Sequence, residues 1–220
     1  MPYRRTESIV RRLAEREEAI IAAASAAAAE GGMNAVQIVP VAERAGIAAG
    51  TVYRYFASKD DLIGEMVGSI SMRELAAMRA AADAAPGPLS ALATAIATFA
   101  ARALQERRLS WAVIAEPVDG EVGAARLEFR KALAAEIEKR IRAAMAGGHL
   151  PDQDAAIAAA AVIGAVMEGL IGPLAPERSN EAVKNREAVQ MVTLLALRAL
   201  GIIDARARGL VAQARLPEAP

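Results

Sequence analysis

The stretch Val41-Ala42-Glu43-Arg44-Ala45-Gly46-Ile47-Ala48-Ala49-Gly50-Thr51-Val52-Tyr53-Arg54-Tyr55-Phe56-Ala57-Ser58-Lys59 decides the reading of this chain. It predicts a short helix, a tight turn at Gly46, and a second short helix that closes on an aromatic cluster. That order is the layout of a helix-turn-helix. Val52 and Phe56 are four apart and point back toward a core, while Thr51 and Arg54 are three apart and share the opposite face.

Upstream, a first helix is expected over 6–30, stopped by Gly31-Gly32. Its apolar positions Leu13, Ile20, Ala24 and Ala27 recur at helical spacing. A second helix is expected over 37–45, with Pro40 in its first turn, where a missing N–H is tolerated. The third is expected over 49–55. Ser58 and Asp61 form a capping box that opens a long fourth helix, running to about residue 83. Ala85-Pro86-Gly87-Pro88 is the clearest break in the chain. Beyond it, helices are expected over 89–107, 109–116, 121–146, 152–171 and 180–200. The third of these carries the apolar stripe Leu127, Ala134, Ile137, Ile141 and Met145. Residues 204–220 read as a frayed tail. The fold class is therefore all-α with about nine helices, divided as 1–57, 58–203 (58–83 forming a bridge) and the tail.

Composition narrows the function. Of 220 residues 55% are apolar and only 3% aromatic, and alanine, the best helix former, supplies much of the apolar share. There is no cysteine, which removes disulfides and thiolate chemistry and suits a reducing cytoplasm. The single histidine, His149, has no partner at metal-ligand spacing, so neither a metal nor a cofactor is expected. No glycine-rich phosphate loop follows a strand and no nucleophile motif is present, which argues against an enzyme. The apolar run 155–167 is too short to cross a membrane, and no signal peptide is visible. Net charge is zero, yet residues 1–16 hold five arginines against two glutamates, a basic arm beside the helix-turn-helix.

The phrase Gly46-Ile47-Ala48-Ala49-Gly50-Thr51-Val52-Tyr53-Arg54-Tyr55-Phe56, followed by Ser58-Lys59, resembles the N-terminal signature of TetR-type transcriptional regulators. The resemblance covers about residues 19–66. It implies a DNA-facing set of Gln37, Arg44, Ala49, Gly50, Thr51, Tyr53, Arg54, Tyr55 and Lys59, with the Tyr53 hydroxyl on a phosphate. Gly50 allows close backbone approach. Arg54 suits a guanine edge or a phosphate, and the sequence does not choose between them. Tyr55 is open between contact and packing. Two positions depart from the family. Many relatives carry Ser or Thr where this chain has Val36-Gln37, and Ser where it has Ala48-Ala49. Ala48 lacks a capping oxygen and a phosphate donor, and Gln37 is the candidate substitute at the other helix start.

The resemblance also implies a C-terminal part that holds a small-molecule effector and pairs two subunits. Candidate pocket residues are Phe99, Trp111, Ile114, Glu116, Arg126, Arg130, Leu133, Ile137 and Met167, a set that favours an apolar or aromatic ligand. A solvated face competes for Arg126 and Arg130, and a surface position for Glu116. Candidate dimer contacts are Ala156, Ala160, Ile163, Gly164 and Met167 on one helix and Val189, Val192, Ala196 and Ala199 on the other. The expectation is a cytoplasmic, ligand-responsive regulator, most simply a repressor, whose partners are a double-stranded operator, an effector and a second copy of itself, with no membrane. The competing readings are a TetR-like fold acting through a protein partner and, less favoured, a small-molecule enzyme.

Overall fold

The computed structural model describes residues 7–116, 121–177 and 181–214. Among them there is no strand and there are ten α-helices: α1 Glu7–Gly31, α2 Ile38–Arg44, α3 Ala49–Val52, α4 Lys59–Asp83, α5 Pro88–Gln105, α6 Arg107–Ile114, α7 Glu121–Ala146, α8 Ala155–Val166, α9 Ala182–Ala199 and α10 Asp204–Gln213. A 3₁₀ turn, Met33–Ala35, links α1 to α2, and a π turn, Met167–Ile171, extends α8. No helix among the described residues is long and apolar enough to cross a membrane.

The N-terminal three helices close on one another as the spacing dictates. Ile20, Ala23, Ala24, Ala27 and Ala28 form the buried stripe of α1, whereas Leu13 lies beyond the packed part and is exposed. Pro40 is the third residue of α2, where its absent N–H costs nothing. Gly46 ends α2 at φ +66°, a left-handed position that a side chain strains to adopt. The Ile47 N–H then reaches back to the Ala42 carbonyl at 3.0 Å, the long closing bond of a glycine helix stop. α3 is shorter than expected. After Val52 the chain tightens into turns, with the Tyr55 N–H bonded to the Val52 carbonyl at 2.9 Å, and Phe56 drops into the core. Ser58 accepts the Asp61 N–H at 3.0 Å and starts α4.

α5 is the centre of the C-terminal part. Nearly every residue from Leu89 to Leu104 is buried, with α4, α7, α9 and α10 packed around it. α7 presents Val122, Phe129, Leu133, Ile137, Ile141 and Ala144 to that core. The expected stripe is therefore displaced, and Leu127 is half exposed. The reason is chemical: Arg126, Glu136 and Arg140 occupy buried positions on the inner face, where an apolar pattern alone does not place them.

The inner charges of α7 form a network with the end of α4. Glu136 accepts Arg79 Nε at 3.0 Å and Arg140 Nε at 2.9 Å, and Arg140 Nη2 lies 2.7 Å from Asp83. Arg140 holds the Asp83 carboxyl below its ordinary range. Burial works against the Arg140 cation, but Asp83 and Glu136 outweigh it and raise its pKa.

The tail differs from expectation. Gly201 turns the chain at φ +93°, and residues 204–213 form α10, anchored by a fully buried Ala207 and by Asp204 between Arg198 and Arg208. One buried anchor and this charged triad suffice where composition suggested fraying. Residues 215–220 of that tail, and Arg4 and Arg5 of the basic arm, lie outside the described residues.

Candidate DNA-binding surface and effector cleft

On the helix-turn-helix the residues divide by exposure. Val52 and Phe56 are buried, while Tyr53 is 55% exposed and Arg54 is exposed beside it. Neither the Tyr53 hydroxyl nor the Arg54 guanidinium is occupied by another described residue, so both donors are free for an outside acceptor. Thr51, Ala49, Tyr55 and Lys59 are half-buried around them, and Gly50 is exposed. A Cβ at Gly50 would meet no protein atom within 4 Å, so nothing in the protein's own packing requires glycine there. Two members of the expected set are engaged elsewhere. Arg44 Nη2 pairs with Glu30 at 2.6 Å, tying α2 to α1. Gln37 stands at the start of α2 but does not cap it. Its side chain turns back and donates to the Asn34 carbonyl at 3.0 Å.

Ala48 is the residue before α3, with the extended backbone of a helix cap (φ −73°, ψ 145°) and no side-chain oxygen to fill the role. Ala48→Ser will raise the stability of the protein by about 1 kcal/mol in denaturant unfolding, the usual worth of a restored cap. The same hydroxyl also adds a donor at the exposed start of α3.

The second feature is a cleft between α4, α5, α6 and α7. It is partly open to solvent and has a cavity volume of about 30 Å³. Ile70, Phe99, Ala103, Leu109, Val113, Ile114 and Phe129 make it apolar, and Arg73, Glu74, Arg102, Glu106 and Ser110 give it a polar side. Glu74 and Arg102 meet in a two-pronged pair, one prong being Arg102 Nη2 to Glu74 Oε1 at 2.9 Å, and Arg73 lies 3.1 Å from the same carboxylate. Burial pushes the Glu74 carboxyl up, but Arg102 and Arg73 outweigh it and hold it below its ordinary value. Glu74 in turn raises Arg102.

Of the expected pocket residues, Phe99 and Ile114 line this cleft. Leu133, Ile137 and Met167 are core residues away from it, and Trp111 packs half-buried on the core. Arg130 is exposed, a solvated position. Arg126 is 4% exposed, four residues away but turned inward, so the pair does not share a face. Its two Nη atoms donate to the Ala112 and Glu116 carbonyls and so cap the C-terminus of α6, while Nε has no partner. Burial depresses the Arg126 pKa, against the pull of Glu116. Glu116 is neither surface nor pocket: its Oε2 accepts the Met33 N–H at 3.0 Å, across 83 residues of sequence. Missed from sequence were Ile70, Arg73 and Glu74 on α4 and Arg102 on α5. Ile70 and Glu74 are one turn apart, as are Phe99, Arg102 and Ala103, so each set shares a helix face. A charge within each set was the available signal.

The proposed dimer helices divide as well. Ile163, Met167, Val189, Val192 and Ala196 face their own protomer's core. Ala156, Ile157, Ala160, Ala161, Met191, Leu195 and Ala199 are exposed, and Gly164 lies half-buried beside them. The described residues hold no group of three or more histidine, aspartate or glutamate side chains able to hold a metal ion.

A three-helix helix-turn-helix unit is thus carried on an all-helical body with a cleft between α4, α5, α6 and α7. Residues 20–66 match the pattern described as bacterial regulatory proteins, tetR family. The chain is 48% identical over 54 residues to the HTH-type transcriptional repressor KstR of Mycolicibacterium smegmatis, covering 24% of this chain and 26% of that protein. It is 51% identical over 49 residues to KstR of Rhodococcus jostii, covering 22% and 23%. The match thus spans about a quarter of these curated relatives. Among solved structures, the fold is similar to RolR in complex with resorcinol, with a TM-score of 0.66 and 19% identity over 96% of this chain and 100% of that one. It is also similar to the fatty acid degradation regulator FadR from Bacillus halodurans, with a TM-score of 0.70 and 20% identity over 86% and 97%.

Proposed function

We propose that the chain is a homodimeric, sequence-specific DNA-binding repressor that leaves a palindromic operator when a small apolar or aromatic molecule enters the α4–α7 cleft. The observation that carries this reading is the exposed pair Tyr53 and Arg54, unengaged within the protein at the end of α3. Residues 1–57 supply the DNA-binding domain, and 58–203, with α4 as the bridge, supply effector binding and pairing. The exposed faces of α8 and α9, with Ile157, Ala160, Ala161, Gly164, Met191 and Leu195, supply the contact with the second copy. Two recognition helices then stand roughly 34 Å apart, one turn of DNA. The cleft is apolar with a polar edge, which suits a small aromatic ligand. RolR, of the same fold, has been solved with resorcinol bound.

α4 joins both parts: Leu62, Ile63 and Met66 are buried at its N-terminal end, and Ile70 and Glu74 line the cleft one turn further on. An effector that favours one tilt of α4 changes the spacing of the two recognition helices. Fluorescence anisotropy on DNA flanking the coding sequence, across a salt series, tests the reading. Tight binding to one palindromic segment is expected, falling by about 10³-fold or more between 50 and 200 mM salt if six or more phosphates are contacted. Weak, sequence-indifferent binding throughout would favour the protein-partner reading.

A further inference from the structure

We infer that Glu116 is a positioning residue that latches the helix-turn-helix domain to α6, so that movement of the α6 wall of the cleft is passed to the DNA-binding part through Met33 as well as through α4. The inference rests on the regulator reading for its use, and adds to it a second connection between the two parts.

The 3₁₀ turn Met33–Ala35 cannot cap itself. The residue before it is Gly32, with no side chain and φ 73°. The acceptor for the Met33 N–H comes instead from Glu116, just past α6, at 3.0 Å. A charged acceptor at the start of a turn makes a strong bond, and one expensive to leave unmade beside a buried residue. The left-handed φ of 73° favours glycine at 32, and a side chain there would also press on the movable ends of Glu116 and Arg108. A Cβ there would stand 2.7 Å from Glu116 Oε1 and 2.8 Å from Arg108 Nη2. Both ends of α6 thus bear on the α1–α2 junction, and α1 packs along α6.

α6 is the shortest of the four helices that wall the cleft. α5 is buried all round, and α7 is tied to α4 by the Glu136 network. α6 has eight residues and hangs from Glu106, whose backbone leaves the helical range at φ −121°, ψ 57°. Its far end is held by Arg126 through the Ala112 and Glu116 carbonyls. The cleft, at about 30 Å³, is far smaller than the roughly 150 Å³ cavity that takes up a benzene ring, so an aromatic occupant must displace a wall. Ser110, Val113 and Ile114 belong to the α6 part of that wall, and Val113 and Ile114 lie within one turn of Glu116.

Amide hydrogen exchange of the full chain, followed by NMR, tests this without operator or effector. In Glu116→Ala the Met33 amide is expected to exchange at least about tenfold faster, with α5 amides unchanged, as for a local opening. Glu116→Gln keeps an acceptor oxygen and is expected to restore most of the protection. Ser110→Leu, which fills the cleft from α6, is expected to free Met33 as well, and to add nothing on top of Glu116→Ala. Unchanged Met33 protection in Glu116→Ala overturns the latch. A Ser110→Leu effect that is absent, or that adds in full to Glu116→Ala, overturns the coupling. Should Glu116→Ala lose protection everywhere, the Glu116→Gln and Ser110→Leu proteins carry the same decision. Loss of the regulator reading would show in the anisotropy assay and leave these rates untouched.

Discussion

Replacing Glu136 with alanine will destabilise the protein by about 3 kcal/mol and lower its melting temperature by about 6–12 °C. The side chain is 4% exposed and accepts three hydrogen bonds from two arginines. Its loss leaves Arg140 inside the protein with Asp83 as its one remaining carboxylate among the described residues, and Asp83 sits largely in solvent. A buried cation stripped of its inner partner is costly because water cannot replace the bond. Arg79 is half exposed and turns to solvent at little cost, which keeps the loss at the low end of the range for broken buried pairs. The asymmetry gives a sharper test. Glu136→Leu combined with Arg140→Leu removes both charges and keeps apolar volume, and is expected to cost less than Glu136→Ala alone. If the double variant is the less stable one, the network stabilises by attraction and not merely by mutual satisfaction. Asp83, like Glu74 and Asp204, also contributes to the pH response. Its carboxyl is held below the ordinary range, so its contribution is complete above about pH 4 and is lost as pH falls through the depressed value.

The same network shows why some of this molecule is legible in its sequence and some is not. The helix-turn-helix is written locally: Gly46 must take a left-handed turn, Ser58 must cap the helix it precedes, and Val52 and Phe56 are four apart. Each of these is a short-range constraint, and together they specify the unit. α7 is the opposite case. Arg126 and Arg130 stand at helix spacing and read as a solvated pair, yet Arg126 turns inward because the C-terminal carbonyls of α6 are waiting there. Nothing near residue 126 in sequence announces α6. The cleft has the same origin: Glu74 and Arg102, 28 residues apart on different helices, acquire meaning only as a pair. Glu116 reaches 83 residues back to Met33. Polar groups placed by tertiary partners escape a periodicity reading, because their burial depends on what the fold brings to them. The two apolar helices α8 and α9 are legible only in part. The composition of α8 marks it as covered on both sides, but not which residue faces inward: Ile163 packs on its own core while Ile157, on the same helix, is 70% exposed.

The variant Arg54→Ala with Tyr53→Phe is expected to lose at least about 100-fold in operator affinity while melting within a degree or two of the parent. Both side chains are exposed and make no internal bond with the described residues, so their removal takes nothing from the fold. In a symmetric dimer every contact is lost twice. A phosphate bond from the Tyr53 hydroxyl, at about 1 kcal/mol per subunit, and an Arg54 contact of about 1–3 kcal/mol per subunit together exceed the change required. The salt series then separates the two roles open to Arg54. If the guanidinium lies on a phosphate, Arg54→Ala alone reduces the slope of log affinity against log salt by about 1.8, because one counterion fewer is released per subunit. If it reads a guanine edge, the slope holds and discrimination between operator and altered half-sites collapses instead. Unchanged binding in the double variant would mean that the exposed end of α3 does not meet DNA. The neighbouring contacts of Thr51 and Lys59 could not then rescue the reading, since they flank the same surface, and the protein-partner alternative would take its place.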